Sequence, residues 1–347
     1  MKIIVDEKVP FIEGRIKDAE TVMLPASCID RDAVRDADAL IIRTRTRCDE
    51  SLLAGSGVRM IATATIGTDH IDRDWCEANG ITVRNAPGCN APGVALYVWS
   101  CLLRTGFDPS RHTLGVAGCG NVGSIVAQWG RRLGARVLVC DPPRRDAGFS
   151  DHEYLDLREL LQESDAVTLH TPLTHDGAYP TFHMMGTDAL GMMRKGATIV
   201  NAARGEVIDT RALIAAIGDG RIGKAIIDTW ENEPDIDRHL LGMADIATCH
   251  IAGYSVEGKQ RASRMALEAL HETLGITIDT KGLQEAYKEP YSLSPDMILS
   301  HYDPAPMTET LKKCCLNPEY TPGSDRHPAP YPFEALRNSY PLHPEIL

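Results

Sequence analysis

Short apolar runs that end on a polar or charged residue recur along the chain and set its rhythm. Residues 2–6 read KIIVD, 38–43 DALIIR, 58–63 VRMIAT and 81–84 ITVR, with stretches of helical composition between them. Runs of this length, rich in Ile and Val, predict strands buried on both faces, and their alternation with helices predicts a parallel sheet. The rhythm resumes further on, with a helix predicted over Leu155 to Glu163 and strands over 166–170 (AVTLH), 197–201 (ATIVN), 224–228 (KAIID) and 244–250 (ADIATCH). Sheets of this kind hold ligands beyond the carboxyl ends of their strands. The residues just past each run are therefore the candidates for chemistry.

One stretch is more specific. From Thr113 to Pro142 the order is strand, glycine turn, amphipathic helix, strand and acidic residue. In Gly118-x-Gly120-x-x-Gly123 the glycines suit a tight turn, a close approach of backbone to a pyrophosphate, and close packing of helix on sheet. Asn121 and Val122 open the helix whose N-terminal N–H groups would face the phosphates. Asp141, about 20 residues further on, fits the adenosine ribose hydroxyls. Arg144 and Arg145 could accommodate a 2′-phosphate, but a carboxylate at the strand end would repel it, so NAD is the expected cofactor.

Composition narrows the remaining classes. The chain has 347 residues, 43% hydrophobic and 24% charged, with a net charge of −12. That length suits two or three domains, and the acidic balance argues against nucleic acid or an anionic membrane as partner. Without a membrane-length apolar run or a signal-like N-terminus, the expected compartment is the cytoplasm. Ten scattered cysteines without zinc-like spacing predict reduced thiols and no metal.

Two clusters follow early strand ends. Arg43-Thr44-Arg45-Thr46-Arg47 places three guanidinium groups past a strand in an otherwise acidic chain, and such forks pair with phosphate or carboxylate. Arg43 and Thr44, nearest the strand, are the better ligand candidates; Arg45 and Arg47 read equally well as a solvated loop balancing Asp49 and Glu50. The stretch from Thr63 to Asp72, TATIGTDHID, could turn backbone N–H groups toward an anion or could simply cap a helix. A Pro- and Gly-rich loop, 85–93, then precedes an apolar helix predicted from Val94 to Arg104 and reads as an interdomain connection.

Late strand ends carry Arg204, Glu233 and His250 in succession. Hydride transfer from a carbinol carbon needs a base for the hydroxyl proton, and histidine titrates in the right range. A carboxylate such as Glu233 would hold the imidazole in one tautomer and favour its protonated form. Arg204 would polarise the developing carbonyl and grip a substrate carboxylate.

These residues, with TATIGTDHID, APGCNA at Ala86 to Ala91, CDPPR at Cys140 to Arg144, HTPLTHDG at His170 to Gly177 and HIAGYSVEGK at His250 to Lys259, give a chain that resembles the D-isomer-specific 2-hydroxyacid dehydrogenase family over residues 1–280. PGCNA, HIAGY and EGK narrow the resemblance to a branch that oxidises a phosphorylated sugar acid in pyridoxine biosynthesis. The resemblance implies Arg204 and Glu233 as active-site residues and His250 as the proton donor or acceptor. It implies substrate contacts at Thr44, Thr65 and Tyr254, and cofactor contacts at Asn121, Val122, Asp141, Thr171, Asp228 and Gly253. Thr44 stands where that branch more often has serine, and Leu96 where it has glutamate.

The expected fold is α/β: two doubly wound parallel-sheet domains, Rossmann-like or flavodoxin-like, with a short C-terminal dimerisation segment. Residues 1–94, completed by about 265–284, would bind substrate, 95–264 would bind NAD, and 285–347 would form a homodimer. The expected activity is NAD-dependent oxidation of a small phosphorylated 2-hydroxy acid, with Arg43 and Arg337 as phosphate ligands. The alternatives are a dehydrogenase of another such acid, 3-phosphoglycerate among them, and an NAD-responsive corepressor-like binding protein.

Overall fold

The computed structural model describes residues 1–317 and 332–346. The chain divides into two units, Met1–Asn90 with Ser255–Lys288, and Ala91–Tyr254 with Glu289–Leu347. Each is built on its own parallel sheet.

In the first unit, β1 (Lys2–Asp6), β2 (Glu20–Leu24), β3 (Ala39–Ile42), β4 (Met60–Thr63) and β5 (Thr82–Arg84) lie in the order β2-β1-β3-β4-β5, all parallel. Alternate side chains serve opposite faces. Ile3, Val5 and Ile41 pack with Ala262, Ala266, Leu267 and Leu270 of the helix Val256–Leu274. Ile4, Leu40, Ile42 and Ile61 pack with Val34, Leu52 and Leu53 on the other face. Both faces are covered, which is why these strands are apolar throughout. β2 was not anticipated from sequence; at the sheet edge its residues are only half-buried, so it lacks the solid apolar run of its neighbours.

In the second unit, β6 (Thr113–Ala117), β7 (Arg136–Cys140), β8 (Ala166–Leu169), β9 (Ala197–Asn201), β10 (Ile222–Ile227) and β11 (Ile246–Ala247) lie in the order β11-β10-β9-β8-β6-β7, again all parallel. Beyond β7 the position of a further strand is reduced to one parallel bridge between Val139 and Tyr154. With that bridge counted, the order is that of dinucleotide-binding folds, and the switch point falls between β6 and β8.

The helix Ala91–Arg104 is buried at every position from Ala91 to Leu102, including Leu96. Its Trp99 donates Nε1–H to the Val126 carbonyl at 3.1 Å, within the helix Asn121–Arg132. C-terminal helices at Pro295–His301 and Ala305–Cys315 complete this unit. Ser100 Oγ donates to the Tyr302 carbonyl at 2.7 Å, and Thr308 Oγ1 accepts the N–H of Ala247 at 3.0 Å, satisfying a donor on the edge strand β11.

The division differs from the sequence expectation in three places. The first unit ends at Asn90 rather than 94, because the helix from Ala91 is buried in the second unit. It resumes at Ser255 rather than about 265, because Ser255 caps one continuous helix whose apolar face serves the first sheet. Residues from Glu289 onward belong to the second unit rather than to a separate region. The proline-rich run from Pro318 to Pro332, which in sequence reads as loop or linker, lies outside the described residues apart from Pro332. Among the described residues no helix is long and apolar enough to cross a membrane.

Trp99 is fully buried between two helices. Trp99→Ala should lower unfolding stability by about 3–5 kcal/mol, the scale for deleting a large core aromatic, as read by chemical denaturation.

Candidate active site

The glycine turn forms as its sequence requires. Gly118 has φ +86°, and a Cβ on Gly123 would lie 1.9 Å from the Gly118 carbonyl oxygen, so the first helical turn and the β6 end touch through backbone alone. At Gly120 the space a Cβ would enter is open on the protein side, as a pyrophosphate cradle needs. The helix then starts at Asn121. Asp141, past β7, accepts the Cys119 N–H at 2.7 Å with one carboxylate oxygen and the Arg144 N–H at 3.1 Å with the other. Each oxygen keeps a lone pair for a ribose hydroxyl.

The two arginines beyond it are committed elsewhere. Arg144 donates to Tyr154 Oη at 3.0 Å and Asp151 at 2.9 Å and lies over the Phe149 ring, while Arg145 pairs with Asp156 at 2.7 Å. With a carboxylate at the strand end and both cations already paired, the site fits NAD. Past β8, the Thr171 hydroxyl oxygen is buried without a protein partner among the described residues, the kind of donor a cofactor oxygen satisfies. His170 beside it is driven by burial down to about 3 and stays neutral.

The ends of β9, β10 and β11 assemble the remaining chemistry. Asp228, past β10, is fully buried, and burial pushes its carboxyl above the usual range. It accepts from Thr248 Oγ1 at 2.6 Å, the Ile251 N–H at 2.8 Å and the Ala252 N–H at 3.0 Å, while its carbonyl takes the His250 N–H at 2.8 Å. Those bonds hold His250 at φ +57°, a left-handed conformation costly for a residue with a Cβ. Trp230 Nε1–H donates to the Thr248 carbonyl at 2.8 Å, tying the same loop to the turn that carries Glu233.

Glu233 Oε1 accepts the Trp230 N–H at 2.9 Å, and Oε2 meets His250 Nδ1 at 2.9 Å. Burial alone would raise the Glu233 carboxyl; the His250 charge and the hydrogen bonds outweigh it and hold it below the ordinary glutamate range. With Glu233 ionised, Nδ1 carries the imidazole proton and Nε2 presents its lone pair, without a protein partner among the described residues. TWENEP offers a second carboxylate, but Glu231 faces His183 Nε2 at 2.6 Å and the Thr210 N–H at 2.9 Å.

Arg204 follows β9 on a turn closed by Asn201 Nδ2 donating to its carbonyl at 2.9 Å. A Cβ on Gly205 would lie 1.9 Å from the Trp230 carbonyl carbon, so only glycine lets the Arg204 turn lie flat against the Trp230–Glu233 turn. Arg204, Glu233 and His250 thus stand on three touching segments. Tyr254 follows, and Arg337 of the C-terminal helix Pro332–Ser339 donates Nε–H to its hydroxyl at 3.3 Å. Sequence reading missed the anchoring role of Asp228 and the reach of Arg337 to Glu233, 3.9 Å from its Nη1. In sequence Arg337 reads as a phosphate ligand; in the structure it meets Glu233 and Tyr254.

Within the first unit, Arg43 and Thr44 follow β3 and Thr65 follows β4, its neighbour in the sheet. Thr65 Oγ1 meets Thr63 Oγ1 at 2.6 Å and the Gly67 carbonyl at 3.1 Å, and Thr44 is exposed. Arg43 is not an open ligand. Its Nε and Nη2 fork onto the fully buried Asp6 at 2.9 and 3.2 Å, because Asp6 ends the adjacent strand β1, and Nη1 lies outside that pairing. Arg47 pairs with Asp49 at 2.7 Å, as a solvated loop would.

Comparison with known proteins agrees with this chemistry. Residues 97–252 match the family model described as D-isomer specific 2-hydroxyacid dehydrogenase, NAD binding domain. The chain is 43% identical to the erythronate-4-phosphate dehydrogenase of Bacteroides fragilis, over 99% of this chain and 97% of that one. Among solved structures, the NAD+-bound 3-phosphoglycerate dehydrogenase of Entamoeba histolytica has a TM-score of 0.65 at 27% identity, covering 83% of this chain and 99% of that one. The D-lactate dehydrogenase of Aquifex aeolicus complexed with NAD and lactic acid has 0.65 at 26%, covering 79% and 96%.

The glycine geometry separates two variants. Gly120→Ala should weaken NAD binding at least about tenfold in calorimetric titration, about 1.4 kcal/mol, with little change in thermal stability, because its methyl group meets only the bound pyrophosphate. Gly123→Ala should lower both, because its methyl group meets backbone.

Proposed function

The chain belongs to the erythronate-4-phosphate dehydrogenases, a branch of the D-isomer-specific 2-hydroxyacid dehydrogenases, and from that premise we propose that it oxidises 4-phospho-D-erythronate to 2-oxo-3-hydroxy-4-phosphobutanoate in pyridoxal 5′-phosphate biosynthesis. The observation that carries the reading is the His250–Glu233 pair, at 2.9 Å through Nδ1, past the carboxyl ends of the same parallel sheet as the glycine turn. His250 Nε2 takes the proton of the C2 hydroxyl as the carbonyl forms. NAD, when bound, supplies the acceptor for the hydride that leaves C2. Glu233 holds the imidazole in the receptive tautomer and stabilises the imidazolium that results.

Arg204 grips the substrate carboxylate and polarises the oxygen at C2. Thr44, Thr65 and Tyr254 contribute hydroxyl contacts to the substrate, and Arg43 offers Nη1 to the phosphate. Asn121, Val122, Asp141, Thr171, Asp228 and Gly253 line the cofactor path, Asp228 chiefly by fixing the His250 loop. We place the enzyme in the cytoplasm and as a homodimer, on its membership of this family of bacterial enzymes.

Purified protein given NAD should oxidise erythronate 4-phosphate far faster than 3-phosphoglycerate, lactate or unphosphorylated erythronate. Equal rates across that panel, or no turnover, would defeat the assignment. His250→Asn should lower kcat by at least ~100-fold, the scale for losing a positioned general base.

Arg43→Ala should raise KM for the phosphorylated substrate about tenfold or more and leave the unphosphorylated acid little affected, the scale of one charged hydrogen bond. The comparison is read at a temperature where circular dichroism shows the variant folded, since Asp6 loses its partner. A loss shared equally by both acids removes Arg43 from phosphate binding.

A further inference from the structure

Arg337 lies far along the chain from the catalytic strand ends, yet its side chain is mostly buried beside them. Its Nη1 is 3.9 Å from Glu233 Oε2, the same oxygen that meets His250 Nδ1 at 2.9 Å, and its Nε–H reaches Tyr254 Oη at 3.3 Å. One carboxylate oxygen thus faces both an imidazole and a guanidinium.

The segment that brings Arg337 here is firmly placed. Phe333, on the same helix, is fully buried. Tyr340 Oη meets Tyr302 Oη at 2.9 Å, and the Tyr340 ring packs edge-on against Tyr254 at 6.3 Å. The His343 N–H donates to the Tyr254 carbonyl at 3.2 Å, and the His343 ring lies 4.0 Å from that of Tyr302. These contacts join the C-terminal segment to the residue that ends the catalytic loop.

We propose that Arg337 is a positioning residue of this dehydrogenase, sharing the Glu233 carboxylate with His250 and orienting the Tyr254 hydroxyl, so that the C-terminal segment completes the catalytic machinery. The proposal rests on the reading of His250 as the base. Glu233 facing two cations keeps its charge and its orientation, and Arg337 moderates the pull of that carboxylate on the imidazole, easing return of the proton. The other titratable or charged groups around the pair are Asp228 beneath the loop, Cys249 within it, Tyr254, Tyr340, and Glu334 on the helix of Arg337. None of them is a cation.

The test begins without substrate. In an NMR titration of the full chain, with His250 assigned by its loss in His250→Asn, Arg337→Gln should move the His250 midpoint upward by roughly half a unit or more, the scale for losing a facing cation several ångströms away in a partly wet site. Arg337→Lys should restore most of that movement. In turnover, kcat for Arg337→Gln should fall about tenfold, the acid limb of its pH profile should move toward higher pH, and phosphorylated and unphosphorylated acids should be affected alike, with NAD affinity kept.

An unmoved His250 midpoint overturns the proposal, as does a loss confined to KM of the phosphorylated acid, which would make Arg337 a phosphate ligand. A fall in activity that tracks melting temperature alone also overturns it. Arg337→Met, which keeps the packed stem, takes the place of the Gln variant if that chain does not fold. Because the titration needs no substrate, failure of the wild type to turn over erythronate 4-phosphate would be a separate result.

Discussion

The site depends on one buried carboxylate. Asp228 sits where β10 ends, out of contact with water, and three donors from the next loop converge on it: the Thr248 hydroxyl and the N–H groups of Ile251 and Ala252. A carboxylate in such a place is tolerable only when its oxygens are saturated, and each hydrogen bond to a charged group is worth about 1.5–3 kcal/mol. The loop therefore cannot relax away from Asp228. That constraint holds His250 in a left-handed conformation and points its ring at Glu233. The network extends inward, since Tyr97 Oη meets Thr248 Oγ1 at 2.8 Å from the buried helix Ala91–Arg104. Core and catalytic base are joined through this run of buried side-chain hydrogen bonds.

A second constraint is steric. Arg204 reaches the Trp230–Glu233 turn only because Gly205 lets two backbones touch, and the glycine turn reaches its helix by the same means at Gly123. In both places, a side chain would push a strand end outward by more than the tolerance of a proton or hydride transfer. Glycine does different work in the two turns. At Gly123 it closes protein on protein, and at Gly120 it leaves room for a ligand.

How much of this could be read from the chain follows from what each feature leaves in sequence. Strands buried on both faces leave solid apolar runs, so β1, β3, β4, β6, β8 and β9 were legible to within a residue or two. β2, half-buried at an edge, left no such run. The glycine turn was legible because its spacing is imposed by local geometry, and Glu233 with His250 because each lies in the loop that follows a strand. A sequence places both Glu231 and Glu233 beside the turn, and only the direction of each side chain, toward His183 or His250, separates them. The anchoring role of Asp228 was hidden because two of its three donors are backbone N–H groups, which every sequence has. Arg43 was read as an open cation because nothing local announces that Asp6, on the neighbouring strand, already occupies two of its donors. The destination of Arg337 is a long-range contact of the same kind.

That last pattern has a common physical basis. A chain with a net charge of −12 must hold its functional cations against many carboxylates of its own. Here the carboxylates that face those cations are fixed: Asp6 behind Arg43, and Glu233 beside Arg337. A carboxylate at the back of a guanidinium cancels part of its field at long range, and it also fixes the plane of the fork, so the remaining donors point one way. For binding an anion at contact distance, direction counts for more than net charge, because a charged hydrogen bond falls off steeply with misalignment. Arg43 is consistent with that logic, with Nη1 outside the pairing once Asp6 has taken its other edge. Arg337 applies it to the catalytic pair, where the fixed partner is itself the carboxylate that orients the base.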